Sequence, residues 1–484
     1  MSGIFGVYHK KTEGCINDLL FGTDYNFHLG TERAGLAFLS DSGEIWRRIH
    51  DISTGAQLKD KFGNDLGHLK TRLRKNRNKV NFGIGVISDC DDQPLIIDSR
   101  FGKFAIVAMG MINNLSQLSK DLLKDRTLTQ TGVGINTIEV VAELICQSDN
   151  FVDGIQNLWS KIEGSLSLLI LTEDGKLLAA RDRFGVTPLV FGKKPDGFAI
   201  TGESGALYNL GYNQDHYLKP GEIVEITASG LKILVEGDND KCRLCAFLYI
   251  YTGFPTSCYE NQSVECARNR CGVALAQRDF GKIKADLVAG VPDSGIGHAV
   301  GYSNESKVPY ARPLIKYTPC FGRSYTPADQ RTRDIVAKMK LIPVPDIIKD
   351  KKIILLDDSI VRGTQLKDNT LAKLWNSGAK EIHVRPACPP LLFPCYYLLS
   401  TRNIDELAAR IAIKEITGSF LVVDDDVSAY LDPNSDKYTK MVEKICKKIG
   451  ATSLMYQRLD DMIKAIGISE EKLCTYCWTG KKIS

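Results

Sequence analysis

The fold of this chain is decided at KKIILLDDSIVRGTQLKD, residues Lys351–Asp368. Ile353–Leu356 is a short apolar run, the pattern of a strand buried on both faces of a parallel sheet. Asp357 and Asp358 stand at its carboxyl end, Ser359 to Thr364 make a turn of small and hydroxylic residues, and a helical pattern starts near Gln365. Open α/β sheets bind ligands beyond the carboxyl ends of their strands. A turn entering a helix offers backbone N–H groups to a phosphate. A carboxylate pair suits ribose hydroxyls or a hard cation such as Mg²⁺. The segment therefore has the parts to hold a phosphorylated sugar. An ordinary strand end with solvated aspartates is the plainer alternative.

The flanks extend the pattern. A helix at Thr370–Ser377 and a strand at Glu381–Arg385 complete a βαβ unit, with a right-handed crossover expected. Upstream, ADLVAGVPDSGIGHAVGY (Ala285–Tyr302) reads as a strand at Leu287–Val291, a tight turn at Asp293, Ser294 and Gly295, and a helix. That turn also presents N–H groups to an anion. CAFLYIYTGFP (Cys245–Pro255) reads as an aromatic strand, and Ser263–Arg278 as a helix with Val264, Ala267, Cys271, Ala274 and Leu275 at helical spacing. Lys316–Leu341 is basic and poor in apolar residues, the composition of a solvated loop. Residues 242–484 are thus expected to form a doubly wound α/β domain.

DDSIVRGT resembles the phosphoribosylpyrophosphate (PRPP) loop of type I phosphoribosyltransferases. The resemblance implies that Asp357 and Asp358 hold the ribose and Mg²⁺. It implies that Ser359, Ile360, Val361, Arg362, Gly363 and Thr364 cradle the 5′-phosphate. Asp293, Ser294 and Gly295 match the family's pyrophosphate loop, with Ser294 beside the metal. Arg323, Arg333 and Lys340 fall on basic positions of its catalytic loop, which closes over PRPP. Tyr251 falls on a family tyrosine and is carried over as catalytic, beside the alternative of a buried strand aromatic. The family's Arg-Pro-Asp-Ser turn is here Phe254-Pro255-Thr256-Ser257.

Residues 1–235 read as a layered α+β domain. Ile4–Tyr8, Leu168–Leu171, Leu177–Ala180 and Ile223–Ile226 have strand patterns, and Ile135–Cys146 a helical one. SGIFGV at the start, RDRFGVTPL (Arg181–Leu189), GES (Gly202–Ser204) and KPGEIVEI (Lys219–Ile226) are similar to the class II, N-terminal-nucleophile glutamine domain of the glutamine PRPP amidotransferases. The resemblance puts the family's cysteine nucleophile at Ser2, its glutamine-binding arginine at Ser88, its Asn-Gly oxyanion pair at Met109 and Gly110, and its amine-binding aspartate at Thr137. A hydroxyl is a poorer nucleophile than a thiolate. An amide hydrolase needs nucleophile, oxyanion donor and substrate clamps together. The expectation is a domain that keeps the fold and does not hydrolyse glutamine.

The chain has 14 cysteines, many for a reducing compartment where disulfides are rare. Cys474-Thr475-Tyr476-Cys477 alone could be a zinc half-site, a redox pair or buried thiols. A subset of the amidotransferase family carries a 4Fe–4S cluster, and the resemblance puts its ligands at Cys245, Cys395 (in FPCYY), Cys474 and Cys477 (in KLCTYCWTGK). Thiolate-only ligation suits such a cluster; zinc on four cysteines is its rival. Cys242, Cys388 and Cys446 are alternative ligands.

The 484 residues suffice for two or three domains. With 62 basic and 58 acidic residues, net charge +4, nothing favours nucleic acid or an anionic membrane as partner. No apolar run approaches the roughly 20 residues of a membrane span. MSGIFGVYHKK lacks the apolar core of a signal peptide, so a cytoplasmic protein is expected. The expected architecture is an α+β amidotransferase-like domain (1–235) followed by an α/β phosphoribosyltransferase domain with a parallel sheet and an iron–sulfur-binding tail (242–484). The expected activity is transfer of the phosphoribosyl group of PRPP to ammonia or another small nucleophile, with Mg²⁺, as in purine biosynthesis. The alternative is a non-catalytic regulatory or scaffolding partner of an active paralogous subunit. The family forms dimers or tetramers, so a homo-oligomer is expected.

Overall fold

The computed structural model describes residues 2–53, 55–89, 91–124, 128, 134–317, 340–364, 366–400, 403–418 and 427–483. It divides into two compact units: residues up to Leu244 together with Tyr396–Leu399, and Cys245–Cys395 together with Ser400–Ile483.

The first unit is built on two antiparallel sheets. One runs Asn213–Tyr217, Val190–Lys194, Gly197–Thr201, Gly3–His9, Val80–Ser88, Arg33–Ser40, Ile45–Asp51 from edge to edge. The other runs Gly230–Val235, Ile223–Thr227, Leu177–Ala180, Gly164–Thr172, Gly102–Ile112, Leu95–Ser99. Strand alternation sorts the side chains. Ile4 and Tyr8 join Val107, Met109 and Leu169 in the core between the sheets. Phe5 and Val7 turn the other way, into a core shared with the helices Thr12–Asp24 and Leu58–Asn76. Phe104 and Ile106 do the same beneath Thr137–Ile145 and Phe151–Lys161. Each sheet is buried on both faces, which explains why its strands read as short apolar runs.

The RDRFGVTPL block is structural. Arg181 is buried and donates to the carbonyls of Thr187 (2.9 Å), Leu218 (2.5 Å) and Gly185 (2.8 Å). The Asp182 carboxylate accepts from the N–H groups of Phe184 (3.0 Å) and Val186 (2.9 Å). Together the two side chains satisfy a buried turn that has no ladder of its own.

The second unit holds a four-stranded sheet in the order Leu287–Gly290, Lys352–Asp357, Glu381–Pro386, Ser453–Leu454, with every adjacent pair registered as parallel. The strand at the centre of the sequence reading is therefore a central strand, which is why Ile353–Leu356 is wholly apolar. Helices Val264–Asp279 and Ile296–Ser306 pack on each other. A buried Asp279–Arg385 pair, with the Tyr302 hydroxyl donating to Asp279 at 2.9 Å, ties both helices to the third strand.

The aromatic strand expected at Cys245–Pro255 does not form. Only Leu244–Cys245 is extended, and Leu248–Thr252 coils into a π-helical turn closed by Gly253 N–H donating to Leu248 O at 2.9 Å. Arg268 supplies the physical reason: its guanidinium donates to the carbonyls of Tyr249, Tyr251 and Gly253, so this backbone is satisfied without a sheet neighbour. Among the described residues no helix is long and apolar enough to cross a membrane.

Candidate functional site

In the second unit the carboxyl ends of adjacent parallel strands deliver the expected residues together. Gly290 registers with Leu356, so the chain leaves the first strand beside Asp357. Val291 N–H donates to Leu356 O at 2.9 Å and Gly295 N–H to Val291 O at 2.8 Å, folding Asp293–Gly295 back over the strand end. A Cβ on Gly295 would lie 2.3 Å from Leu356 O, so only glycine lets the loop come this close. The Pro292–Asp293 peptide is cis. Ser294 Oγ donates to Asp357 Oδ1 at 3.1 Å, Asp358 N–H to the same oxygen at 3.0 Å, and Ser359 Oγ to Asp358 Oδ2 at 2.5 Å. Four residues from two loops thus form one polar chain.

The two carboxyls are only 9% and 6% exposed. Burial first, and the Asp358 charge second, push the Asp357 carboxyl well above the usual carboxylate range. Burial also raises Asp358, against opposing hydrogen bonds from Ser359, Asp357 and Ser294 and the nearby Arg268 cation. Two desolvated like charges side by side are what a divalent cation or ribose hydroxyls would relieve.

The remaining turn residues divide by role. Gly363 has φ +78° and its carbonyl accepts from Lys367 N–H at 3.0 Å, opening the helical turn Leu366–Leu371. Val361 O accepts from Ala408 N–H at 2.7 Å, and Ile360 is buried, so these two anchor the turn. The exposed Arg362 guanidinium pairs with Glu406 at 2.5 Å. Thr364 is the last described residue before the gap at position 365.

Of the residues expected on the catalytic loop, Arg323 and Arg333 lie outside the described residues. Lys340 accepts through its carbonyl from Tyr317 N–H at 2.8 Å, where Leu314–Lys316 pairs antiparallel with Leu341–Pro343. Sequence reasoning missed Lys316, whose ammonium contacts the Asp293 carboxylate. Its signal was a cation closing the apolar stretch that follows the Ala285–Tyr302 block. Tyr251 is 50% exposed on the π-helical turn, not a buried strand aromatic.

The four cysteines assigned by the resemblance lie on segments of the second unit that contact the C-terminal tail. Cys245 and Cys474 are on two short strands paired with each other, and Ala246 N–H donates to Cys474 O at 3.2 Å. Leu392 and Phe393 N–H both donate to Cys477 O at 3.0 Å, bringing the segment with Cys395 to the tail. Burial, then Cys474 and Cys395, push the Cys245 thiol up; a hydrogen bond with Cys395, then burial, does so for Cys477. Among the described residues, no three His, Cys, Asp or Glu side chains stand ready around a single metal ion. The four-thiol donor set has the composition of an iron–sulfur ligand set.

In the first unit, Ser2 Oγ donates to the buried Ser88 Oγ at 3.5 Å, so the nucleophile and arginine positions are neighbours. Met109 lies in the apolar core between the sheets. Gly110, at φ +142°, would put a Cβ 1.9 Å from Ser165 O. Thr137 opens the helix Thr137–Ile145, its N–H donating to Asp91 Oδ1 at 3.1 Å. Asp89 accepts from Thr31 N–H at 2.7 Å and Thr31 Oγ1 at 3.1 Å, pinning the short loop over this site. Neither a thiol, a guanidinium, a side-chain amide nor a carboxylate stands at the four replaced positions.

Comparisons with known proteins agree with the geometry. A family model described as a glutamine amidotransferase domain matches residues 79–209. The amidophosphoribosyltransferase of Methanocaldococcus jannaschii is 31% identical over 99% of this chain and 97% of its own. That of Bacillus subtilis is 31% identical over 99% and 93%. Among solved structures, one described as the allosteric regulatory enzyme of purine biosynthesis superposes with a TM-score of 0.81, at 28% identity and covering 100% of this chain and 97% of that one. A glutamine PRPP amidotransferase from B. subtilis, complexed with ADP and GMP, gives 0.78 at 27% identity, covering 100% and 98%.

Proposed function

The chain belongs to the amidophosphoribosyltransferase family, and from that premise we propose that it transfers the phosphoribosyl group of PRPP to ammonia or another small nucleophile without hydrolysing glutamine. Its fold is that of the family: an N-terminal-nucleophile amidotransferase domain followed by a type I phosphoribosyltransferase domain. The domains take residues 1–235 and 242–484.

The observation that carries the transferase reading is the polar chain Ser294–Asp357–Asp358–Ser359, formed where two parallel strands end. In the reaction the C1–O bond to pyrophosphate breaks with its electron pair leaving on oxygen, a C1–N bond forms, and the nitrogen loses a proton to solvent. Asp357 and Asp358 hold the ribose hydroxyls and, with Ser294, would hold a Mg²⁺ ion, which would supply positive charge for the departing pyrophosphate. The N–H groups of Ser359–Thr364 receive the 5′-phosphate and those of Asp293–Gly295 the pyrophosphate. Lys316, with Lys340, Arg323 and Arg333, supplies positive charge towards the leaving group. Tyr251, on its exposed turn, is assigned to the reacting sugar by the resemblance.

Loss of the glutaminase rests on Ser2, Ser88, Met109 and Thr137 taken together. The oxyanion position is occupied by a core methionine, whose side chain has no N–H to give. Ammonia, free or from a partner protein, takes the place of glutamine. Cys245, Cys395, Cys474 and Cys477 would hold a 4Fe–4S cluster, tying the tail to the 392–395 segment; the cluster's part is structural. The substituted turn Phe254–Ser257 favours a second reading, a non-catalytic partner of an active paralogue.

The test is pyrophosphate release from Mg²⁺–PRPP and ammonium by anaerobically purified protein, with iron and sulfide assayed on the same sample. Turnover with about four of each per chain is expected. PRPP binding without turnover would favour the partner role, and stoichiometric zinc would displace the cluster.

A further inference from the structure

The sequence reading gives neither Arg268 nor His298 a role. Both are buried. Arg268 Nε donates to Tyr249 O at 3.1 Å, and Nη2 donates to Tyr251 O at 3.0 Å and Gly253 O at 2.8 Å. His298 Nδ1 faces the Arg268 carbonyl at 3.1 Å and its Nε2 faces Ile250 O at 3.2 Å. Arg268 thereby engages three carbonyls of the 249–253 stretch, and the His298 ring lies between the Arg268 and Ile250 carbonyls, with one N–H to donate. π-Helical turns such as Leu248–Thr252 are uncommon in proteins and gather at functional sites.

The helices carrying the pair touch backbone to backbone. A Cβ on Gly272 would lie 1.9 Å from His298 O, and one on Gly301 1.9 Å from Asn269 O. This contact seats His298 on Arg268. His298 lies in the first turn of Ile296–Ser306, the helix that begins directly after Asp293–Gly295. The clamp therefore joins the turn bearing Tyr251 to the loop that meets Asp357 through Ser294. Burial and the Arg268 cation hold His298 down to about 3, so its ring is neutral and donates one N–H.

We propose that Arg268, seated by His298, is a positioning residue of the phosphoribosyl site, holding the Leu248–Thr252 turn so that Tyr251 is presented to the reacting sugar. This rests on the reading that the second unit transfers the phosphoribosyl group. Arg268 touches no substrate in this account; it acts through the turn. It should therefore set the rate of the step at C1 and not the grip of the two phosphate loops.

The experiment is a kinetic cycle on the full chain with Mg²⁺–PRPP and ammonium. Wild-type protein is measured first, because its failure to turn over would remove the transferase reading and this proposal with it. Given wild-type turnover, Arg268→Gln is expected to lower kcat about tenfold or more with the PRPP KM nearly unchanged. The exposed Tyr251→Ala should lower kcat likewise, and the double variant should fall no further than Tyr251→Ala alone. Hydrogen exchange in the 248–253 segment should quicken in Arg268→Gln and stay slow in Tyr251→Ala. If Arg268→Gln does not fold, Arg268→Lys serves, since one ammonium cannot span three carbonyls. An unchanged kcat in the folded Arg268 variant, or losses that multiply in the double variant, would overturn the positioning role while leaving the transferase reading intact.

Discussion

At the residue scale the chemistry concentrates in two buried carboxyls. A group raised in the folded state contributes stability that is present below its unfolded value, near 3.9 for aspartate, and lost as pH rises through the folded value. Burial raises both Asp357 and Asp358, so at neutral pH the pair weighs against folding until a cation or ribose satisfies it. Asp357→Asn keeps the oxygen that accepts from Ser294 and Asp358 and removes one charge. We expect its melting temperature in Mg²⁺-free buffer to rise while PRPP turnover falls about 10²-fold or more; a lower melting temperature would contradict the account. His216 gives the opposite residue-scale lesson, a titrating pair with no part in the chemistry. The Glu222 carboxylate accepts from its Nε2 at 2.6 Å, and this hydrogen bond raises the imidazole above its usual value. Its stabilisation is full below about pH 6.5 and fades as pH rises through the raised value. Thermal melts of Glu222→Gln between pH 6 and 9 should lose that slope.

At the scale of elements, close backbone approach decides where the site can form. The Asp293–Gly295 loop reaches the central strand only because position 295 lacks a Cβ, and the obstructing atom is the Leu356 carbonyl, which cannot swing aside. Gly295→Ala should abolish PRPP binding in titration calorimetry; near-normal affinity would show that the loop is not held this way. This element was legible in the sequence. Four apolar residues followed by DDSIVRGT fix a central strand and its loop, and VPDSG fixes the neighbour. The Cys245–Pro255 segment was not. Leu, Tyr, Ile and Phe favour a strand locally, and nothing within the segment announces that Arg268, on a later helix, satisfies its carbonyls. Lys316 escaped for a related reason: its partner Asp293 is 23 residues away in sequence, and only the tertiary fold brings them together. The four cysteines were assigned by resemblance alone; what the structure adds is that the tail returns to Ala246 and Leu392.

At the scale of the whole molecule, the proposed function assigns different fates to the two halves of the sequence. The second half keeps the parts of a phosphoribosyl site. The first keeps two sheets, their helices and the Arg181–Asp182 turn, yet has lost the groups that attack and hold an amide. Restoring the thiol alone should not bring glutamine hydrolysis back: Ser2→Cys should leave glutamine unhydrolysed, because Ser88, Met109 and Thr137 still offer no clamp or oxyanion donor. Under the proposed function the nitrogen source is ammonia. The measurement that tests this most directly is pyrophosphate release from Mg²⁺–PRPP by the anaerobically purified chain, run in parallel with ammonium and with glutamine. Release with ammonium and none with glutamine is the predicted result. Equal release with glutamine would contradict it, and would mean that Ser2 or another group still cleaves the amide.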